Sequence, residues 1–450
     1  MSPEGIEDYF RQITGNTPYP HQVATYRALA EGRSVLLRAP TGSGKSEAVF
    51  VPFLALRGGV LPPRMVYALP MRSLVNQLTE RFQWYCRGGP PPRVAAQHGQ
   101  RPESVLFYAD AVVATLDQVI SSYACAPLTL GVRHGNIPAG AVAASFLVFD
   151  EVHSYDPVRG FQATLVLATR LRDMGVPFVV MTATLPNGVL KKLAAHLHAE
   201  VVEVDEKAIT SRAGRHVVLH HELDTPLTPE EVLRRHQDYK ARVDRASVRT
   251  LVACNTVERA VALYRGLGSA PVRPLLLHSR FTDDDRTAKE AELVRVMGKD
   301  APDGEAIVVA TQVVEVGLDV SCDLLLTELA PADALVQRAG RCARWGGSGE
   351  VVVFHADAPP YEKGDVEATR DALRRGWPPE GETLTWGREL ALVTEALEPR
   401  YEGLLEPDRA ASTFGRLSRA VFTGDRREAS QAVREGDSVE VAVRSHPGIL

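Results

Sequence analysis

Arg33-Ser34-Val35-Leu36-Leu37-Arg38-Ala39-Pro40-Thr41-Gly42-Ser43-Gly44-Lys45-Ser46 decides the fold. Residues 33–38 read as a short strand, the Gly-rich segment as a tight turn, and 47–56 as a helix. A strand that feeds a helix through such a turn opens a parallel α/β sheet. The turn also carries chemistry. Its successive backbone N–H groups face an anion at the positive end of the following helix. Lys45 supplies a point charge for the outer phosphates of a nucleotide, and the Ser46 hydroxyl can hold Mg²⁺. The general phosphate-loop pattern opens with Gly. Here that position is Ala39, while Gly42 and Gly44 of the cradle remain.

Outward from this unit, short apolar runs at 65–69, 111–114, 146–149 and 178–181 alternate with helical patterns. Leu74, Leu78 and Phe82 recur every fourth residue, as one buried helix face requires. A polar stretch at 205–229 separates this block from a second one. Strands are expected there at 250–253, 274–278, 306–310, 324–327 and 350–354, with a crossover helix at 257–267. Beyond about residue 360 the signal weakens to a turn at 374–381, a helical patch at 389–397 and an alternating run at 438–443.

Two further constellations carry chemistry. The strand at 146–149 ends in Asp150-Glu151-Val152-His153, 105 residues beyond Lys45. Carboxylates at the C-terminal end of a strand sit where open α/β sheets bind ligands. Asp150 would hold Mg²⁺, and Glu151 would orient and polarise an attacking water. In the second block stands Gln337-Arg338-Ala339-Gly340-Arg341-Cys342-Ala343-Arg344. Arg341 and Arg344, three apart, share a face if the segment is helical. Arginines presented by one domain to a nucleotide held on another can stabilise a transferring phosphoryl group.

The order of these motifs resembles that of superfamily 2 nucleic-acid helicases, over about residues 19–344. Tyr19-Pro20-His21-Gln22 is similar to the adenine-reading Q motif, with Gln22 offering a donor and acceptors to an adenine edge. Ala68-Leu69-Pro70-Met71-Arg72-Ser73-Leu74 and Thr115-Leu116-Asp117-Gln118 resemble strand-gripping motifs, and Thr182-Ala183-Thr184 the motif that couples ATP state to closure. Leu277-His278-Ser279-Arg280-Phe281 and 310–319 take the second-domain places. The resemblance implies that Thr311 and Gln312 face the nucleic acid, while Gly317 and Asp319 approach the nucleotide alongside Thr41, Gly42, Ser43 and Gly44. Thr115, Arg72 and Arg280 are the further strand-contact candidates.

Asp150 to Asp156, the Thr-Leu-Asp-Gln motif and Gln337 to Arg344 resemble, more narrowly, the CRISPR-associated effector helicase of type I interference systems. That implies an α/β fold of two tandem RecA-like parallel-sheet domains, expected at 1–205 and 206–360, with a C-terminal accessory region at 361–450. It also implies ATP and Mg²⁺ as cofactors and 3′-to-5′ translocation on single-stranded DNA. Recruitment would be by the guide-RNA surveillance complex. The family often carries an HD nuclease, yet none of the 13 histidines is followed by Asp. The nuclease is therefore expected on a separate polypeptide or in a trimmed segment. His220-His221-Glu222 has no second ligand cluster and is not read as a metal site.

Composition sets the outer bounds. The 450 residues, 45% hydrophobic and 24% charged, fit an ordinary multidomain globular chain and exclude a disordered or low-complexity scaffold. With 51 Lys and Arg against 56 Asp and Glu, the net charge of −5 speaks against indiscriminate coating of nucleic acid but permits a narrow basic track. No apolar run approaches the roughly 20 residues a bilayer span needs. The five cysteines show no CxxC spacing. A monomeric cytoplasmic protein is expected. The competing readings are a DExH RNA helicase, a DNA-repair translocase and a nucleotide-gated binding module.

Overall fold

The computed structural model describes residues 3–431 apart from 88–91, 129, 131–133, 157–158, 207–213, 269, 271, 316, 358, 406 and 424–425. The chain begins with α1 (Pro3–Thr14), α2 (Pro20–Ala30), β1 (Val35–Arg38), α3 (Lys45–Leu56), β2 (Met65–Leu69) and α4 (Arg72–Tyr85). It continues through β3 (Val94–His98), β4 (Arg101–Pro102), β5 (Ala111–Thr115), α5 (Leu116–Tyr123), α6 (Asn136–Ala143) and β6 (Phe146–Phe149). Then come α7 (Gly160–Asp173), β7 (Phe178–Thr182), α8 (Asn187–Leu197) and β8 (Glu200–Glu203). The strands form one sheet in the order β4-β3-β5-β2-β6-β7-β1-β8, parallel except for the β3–β4 pair.

Every residue of β1, β2, β5, β6 and β7 is buried, because parallel strands are covered by helices on both faces. Apolar runs without alternation are therefore the correct signature here. On α4 the buried stripe is Val75, Leu78 and Phe82. Leu74, expected in that stripe, is only half-buried and turns toward the cleft. Phe82 stacks on Phe50 of α3 with ring centroids 3.7 Å apart, which joins two helices over the same sheet face.

The second sheet is built from β9 (Arg215–Pro226), β10 (Arg249–Ala253), β11 (Leu275–Leu277), β12 (Ala306–Ala310), β13 (Leu324–Glu328) and β14 (Gly347–His355). Interleaved are α9 (Pro229–Val243), α10 (Val257–Gly266), α11 (Asp283–Met297) and α12 (Ala332–Ala339). The order is β11-β12-β10-β13-β14-β9, parallel throughout. One expectation is corrected. The polar stretch at 205–229 contains β9, a twelve-residue edge strand paired with β14. His220-His221-Glu222 lies within that strand, not in a linker. An edge strand buries one face only, so Val217, Leu219 and Leu223 are buried while the histidines remain half-exposed.

The chain after the second sheet forms α13 (Lys363–Arg374), α14 (Trp386–Leu404), α15 (Pro407–Thr423) and α16 (Arg426–Gln431). These helices return across the molecule. α14 packs on α8 of the first lobe and on α12 of the second, and α15 packs on α7. Arg170 of α7 stacks over the Phe414 ring at 4.4 Å. The alternating run at 438–443 lies outside the described residues. Among the described residues, no helix is long and apolar enough to cross a membrane.

Candidate active site between the two lobes

The C-terminal ends of β1 and β6 place the phosphate loop and the acidic pair side by side. Gly44 precedes α3 with φ +76°, a backbone that an L side chain rarely adopts. A Cβ there would lie 2.5 Å from Gln22 Nε2. The Gln22 amide is engaged on both sides: Nε2 donates to Gly44 O at 2.8 Å, and Oε1 accepts from Tyr19 N at 2.8 Å. In this structure Gln22 thus braces the phosphate loop from behind. Ser43 likewise turns inward and donates to Pro40 O at 2.7 Å.

Lys45 is buried, with its Nζ donating to Ala39 O at 3.1 Å and standing 3.3 Å from Glu151 Oε1. Tyr67 of β2 donates to Asp150 Oδ2 at 2.6 Å and sits 3.4 Å from the Ser46 hydroxyl. It thereby ties the two oxygen donors expected to share a cation. Burial, and next the neighbouring Glu151, push the Asp150 carboxyl up to about 7. Burial would also raise Glu151, but Lys45 and then His153 outweigh it, and its carboxyl is held below the usual range. Glu151 has φ +53°, in the left-handed region. Such strain costs roughly 1–3 kcal/mol and persists where surrounding contacts over-determine it.

From Glu151 a polar chain runs into the second lobe. His153 Nε2 lies 3.5 Å from Glu151 Oε2, its Nδ1 is 3.1 Å from Thr182 Oγ1, and its Nε2 meets the Gln337 amide of α12. Burial keeps His153 below its ordinary value, which favours the neutral ring. Nearby, Gln77 Nε2 of α4 donates to Gly317 O at 2.6 Å. Gly317 has φ +91°, and a Cβ there would lie 2.6 Å from Ser73 Oγ. It is a point of close approach between the lobes.

Arg341 and Arg344 do not share a helix face. α12 ends at Ala339, with Gly340 as its cap in right-handed geometry, and both arginines lie on the following turn, where Ala343 has φ +47°. They nonetheless reach the same cleft. Arg341 donates from Nε to Val314 O at 2.7 Å and from Nη2 to Glu315 O at 2.5 Å. Burial, and then the proximity of Arg344, push it down to about 9. Arg344 Nε pairs with Asp319 at 2.7 Å.

A cavity of about 500 Å³ joins these groups. Thr41, Gly42, Lys45, Ser46, Asp150 and Glu151 line one wall, and Gly317, Asp319, Arg341 and Arg344 the other. Among the described residues, Glu151 Oε2 and Arg344 Nη1 are buried side-chain atoms with no hydrogen-bond partner. Unspent donors and acceptors at a half-open polar cleft fit a polyanion with a hard cation, for which the Ser46 hydroxyl and Asp150 carboxylate are the natural oxygen ligands. Gln22 and Ser43 stand behind this lining.

The strand-contact candidates lie elsewhere. Thr115 and Thr311 are each 2% exposed, at or just beyond the C-terminal ends of β5 and β12. Gln312 Nε2 donates to Asn255 O at 2.6 Å. Arg72 is exposed, and exposed Arg280 pairs with Glu258. Sequence reasoning passed over Tyr67 and Arg338. A Tyr inside a fully buried parallel strand must satisfy its hydroxyl, and that was the available signal. Arg338 is completely buried and bonded to Glu315, Thr327, Asn255 and Tyr361.

Comparison with known proteins bears on this arrangement. Residues 19–193 match the DEAD/DEAH box helicase family, and residues 246–346 the C-terminal part of the CRISPR-associated nuclease/helicase Cas3. The CRISPR-associated helicase Cas3 of Thermoproteus tenax is 31% identical over 359 residues, covering 76% of this chain and 59% of that one. The chain resembles the Cas3 helicases across both lobes. The Cas3 endonuclease/helicase of Escherichia coli is 27% identical to this Cas3-like chain over 372 residues, or 70% of it and 41% of the relative. Crystal structures of T. fusca Cas3 superpose with TM-scores of 0.68 alone and 0.67 with ATP, at 22% and 23% identity. Each covers 94% of the Cas3-like chain and 56% of the T. fusca protein, so the likeness there is one of fold. The Cas3-like chain spans about half the length of the curated relatives it matches.

Proposed function

We propose that the chain hydrolyses ATP in the inter-lobe cleft and converts closure of the lobes into 3′-to-5′ movement along single-stranded DNA, as the motor of a type I CRISPR interference system. The observation that carries this reading is one cavity walled by Lys45, Asp150 and Glu151 from one lobe and by Arg341 and Arg344 from the other.

In this reading the backbone N–H groups of 41–46 and the Lys45 ammonium receive the phosphates. Mg²⁺, held by Ser46 and Asp150, supplies neutralisation of phosphate charge. Glu151, ionised beside Lys45, accepts a hydrogen bond from the attacking water and orients it. Arg341 and Arg344 stabilise the charge that develops on the transferring group, which they can do only with the second lobe in place. That differential contact links nucleotide state to closure. Thr115, Thr311 and Gln312, with Arg72 and Arg280, would grip phosphates without reading bases.

The working units are residues 1–205, 206–360 and an accessory region at 361–450, in a monomer acting in the cytoplasm. A guide-RNA surveillance complex delivers the strand, and the HD nuclease that cuts it resides outside these 450 residues. The test is ATP hydrolysis by the purified chain with Mg²⁺, alone and with single-stranded DNA or RNA of equal length. Stimulation by DNA well above RNA supports the reading. Equal or greater stimulation by RNA refutes the DNA assignment, since the 2′-OH is what distinguishes the two. No hydrolysis under any condition overturns the reading.

A further inference from the structure

The turn that carries Arg341 and Arg344 is gripped from behind by a residue far away in the chain. Arg215, the first residue of β9, donates from Nη2 to Ala339 O at 2.8 Å and from Nε to Cys342 O at 3.0 Å. One planar group therefore holds carbonyls on both sides of Arg341. Its third arm, Nη1, faces Glu389 Oε1 of α14 at 3.3 Å, and Glu389 is only 5% exposed. A guanidinium presents its donors in a rigid fork, so three acceptors bound at once fix their mutual geometry in a way an ammonium cannot. The guanidinium also lies at the C-terminal carbonyls of α12, where positive charge is favourable.

α14 is itself anchored to the opposite lobe. Glu398 accepts from Gly188 N at 2.7 Å, Lys192 pairs with Glu402, and Gln162 donates to Leu404 O. The body of α14 thus joins its anchors on α7 and α8 of the first lobe to Glu389, which with Arg215 leads to the arginine turn.

We propose that Arg215, buttressed by Glu389, is a positioning residue for ATP turnover: it holds the backbone of 339–342 so that Arg341 and Arg344 point into the cleft. The inference rests on the reading above that these arginines serve hydrolysis. Their own side-chain contacts, to Val314 O, Glu315 O and Asp319, orient the guanidiniums but leave the turn's backbone to other groups. One side of that backbone is held by Ser321 and Cys322, through Cys322 N to Arg341 O, Ala343 N to Cys322 O and Arg344 N to Ser321 Oγ; Arg215 restrains the carbonyls of Ala339 and Cys342 that these contacts leave. A misplacement of about 1 Å remote from the reacting atoms can cost on the order of 10²-fold in rate.

The experiment measures single-stranded-DNA-stimulated ATPase kinetics, ADP affinity and thermal melting for the full chain as wild type, Arg341→Ala, Arg215→Ala, Arg215→Lys and Glu389→Gln. Arg215→Ala should lower kcat by roughly tenfold or more while ADP affinity stays within about twofold, because the phosphate loop is untouched. Arg215→Lys should recover little, and Glu389→Gln should fall between wild type and Arg215→Ala. A role in stability alone would lower the melting temperature and leave kcat of the folded protein unchanged, which overturns the proposal. If Arg215→Ala does not fold, the near-isosteric Glu389→Gln decides in the same way: reduced kcat with unchanged ADP affinity supports the clamp, and unchanged kcat overturns it. Active wild type with inactive Arg341→Ala and fully active Arg215→Ala removes the clamp but keeps the site. Inactive wild type removes both.

Discussion

Lys45 and Glu151 stand 3.3 Å apart and answer each other's charge within the cleft. Lys45→Ala therefore removes the phosphate-facing charge and also strips Glu151 of the cation that keeps it ionised. Both Lys45→Ala and Glu151→Gln should abolish DNA-stimulated hydrolysis, and near wild-type turnover in either, measured as phosphate release, would refute the assignment. Arg344 lines the opposite wall with an unpartnered Nη1. A finger arginine contributes roughly 10³- to 10⁵-fold in turnover, so Arg344→Ala should lose kcat far more than ATP affinity. Unchanged kcat would take it out of the mechanism. Asp150, raised to about 7, is partly protonated near neutrality, and a bound cation must compete with that proton. Only the ionised carboxylate binds the metal, so at limiting Mg²⁺ the value of kcat/KM should rise with pH through about 7. The inflection should move to lower pH as Mg²⁺ is increased; an inflection indifferent to Mg²⁺ would separate Asp150 from the metal. Lys45, Asp150 and Glu151 could be read from the sequence because local spacing after a strand is enough to give them roles. Tyr67 and Arg215 could not, because their partners Asp150, Ala339 and Cys342 lie 83 to 127 residues away.

At the scale of elements, the two sheets were legible where strands are buried on both faces, since an unbroken apolar run needs no alternation. The same rule hid β9. Its Arg215-His216 and His220-His221-Glu222 look like a solvated linker, yet the intervening Val217 and Leu219 bury one face of an edge strand. The arginine turn was half legible. Spacing three apart suggested a helix face, but α12 ends at Ala339, and Arg341 and Arg344 reach the same cleft from the turn that follows. Within α12, Arg338 holds Glu315 at 2.8 Å with no exposed surface of its own. Arg338→Ala would leave that largely buried carboxylate without a cation, with only the Tyr361 hydroxyl at 3.2 Å still bonded to it. Losing one partner of such a pair costs about 3–5 kcal/mol, which denaturant unfolding monitored by circular dichroism should register. A loss below about 1 kcal/mol would show that water replaces the guanidinium.

For the whole molecule, the feature that defines function is the approach of two sheets whose strand ends face each other. Gly317 marks one point of closest contact, against Ser73 and Gln77. Gly317→Ala should hold the lobes apart, because its φ of +91° and the 2.6 Å contact with Ser73 Oγ both resist a side chain. A fluorophore pair placed across the cleft should then report a longer mean separation and slower ATP turnover; an unchanged separation would show that the contact is incidental. The C-terminal fifth, beyond about residue 360, was the least legible in the sequence. Amphipathic stripes such as Leu392, Val393, Ala396 and Leu397 announce a helix but not which surface it covers. That surface proves to be drawn from both lobes. The position of α14 has a mechanical corollary. With one flank seated on α8 and another on α12, it keeps that side of the body nearly constant in width. Any gaping must then resemble a book turning on its spine, with the widest excursion at the edge farthest from α14.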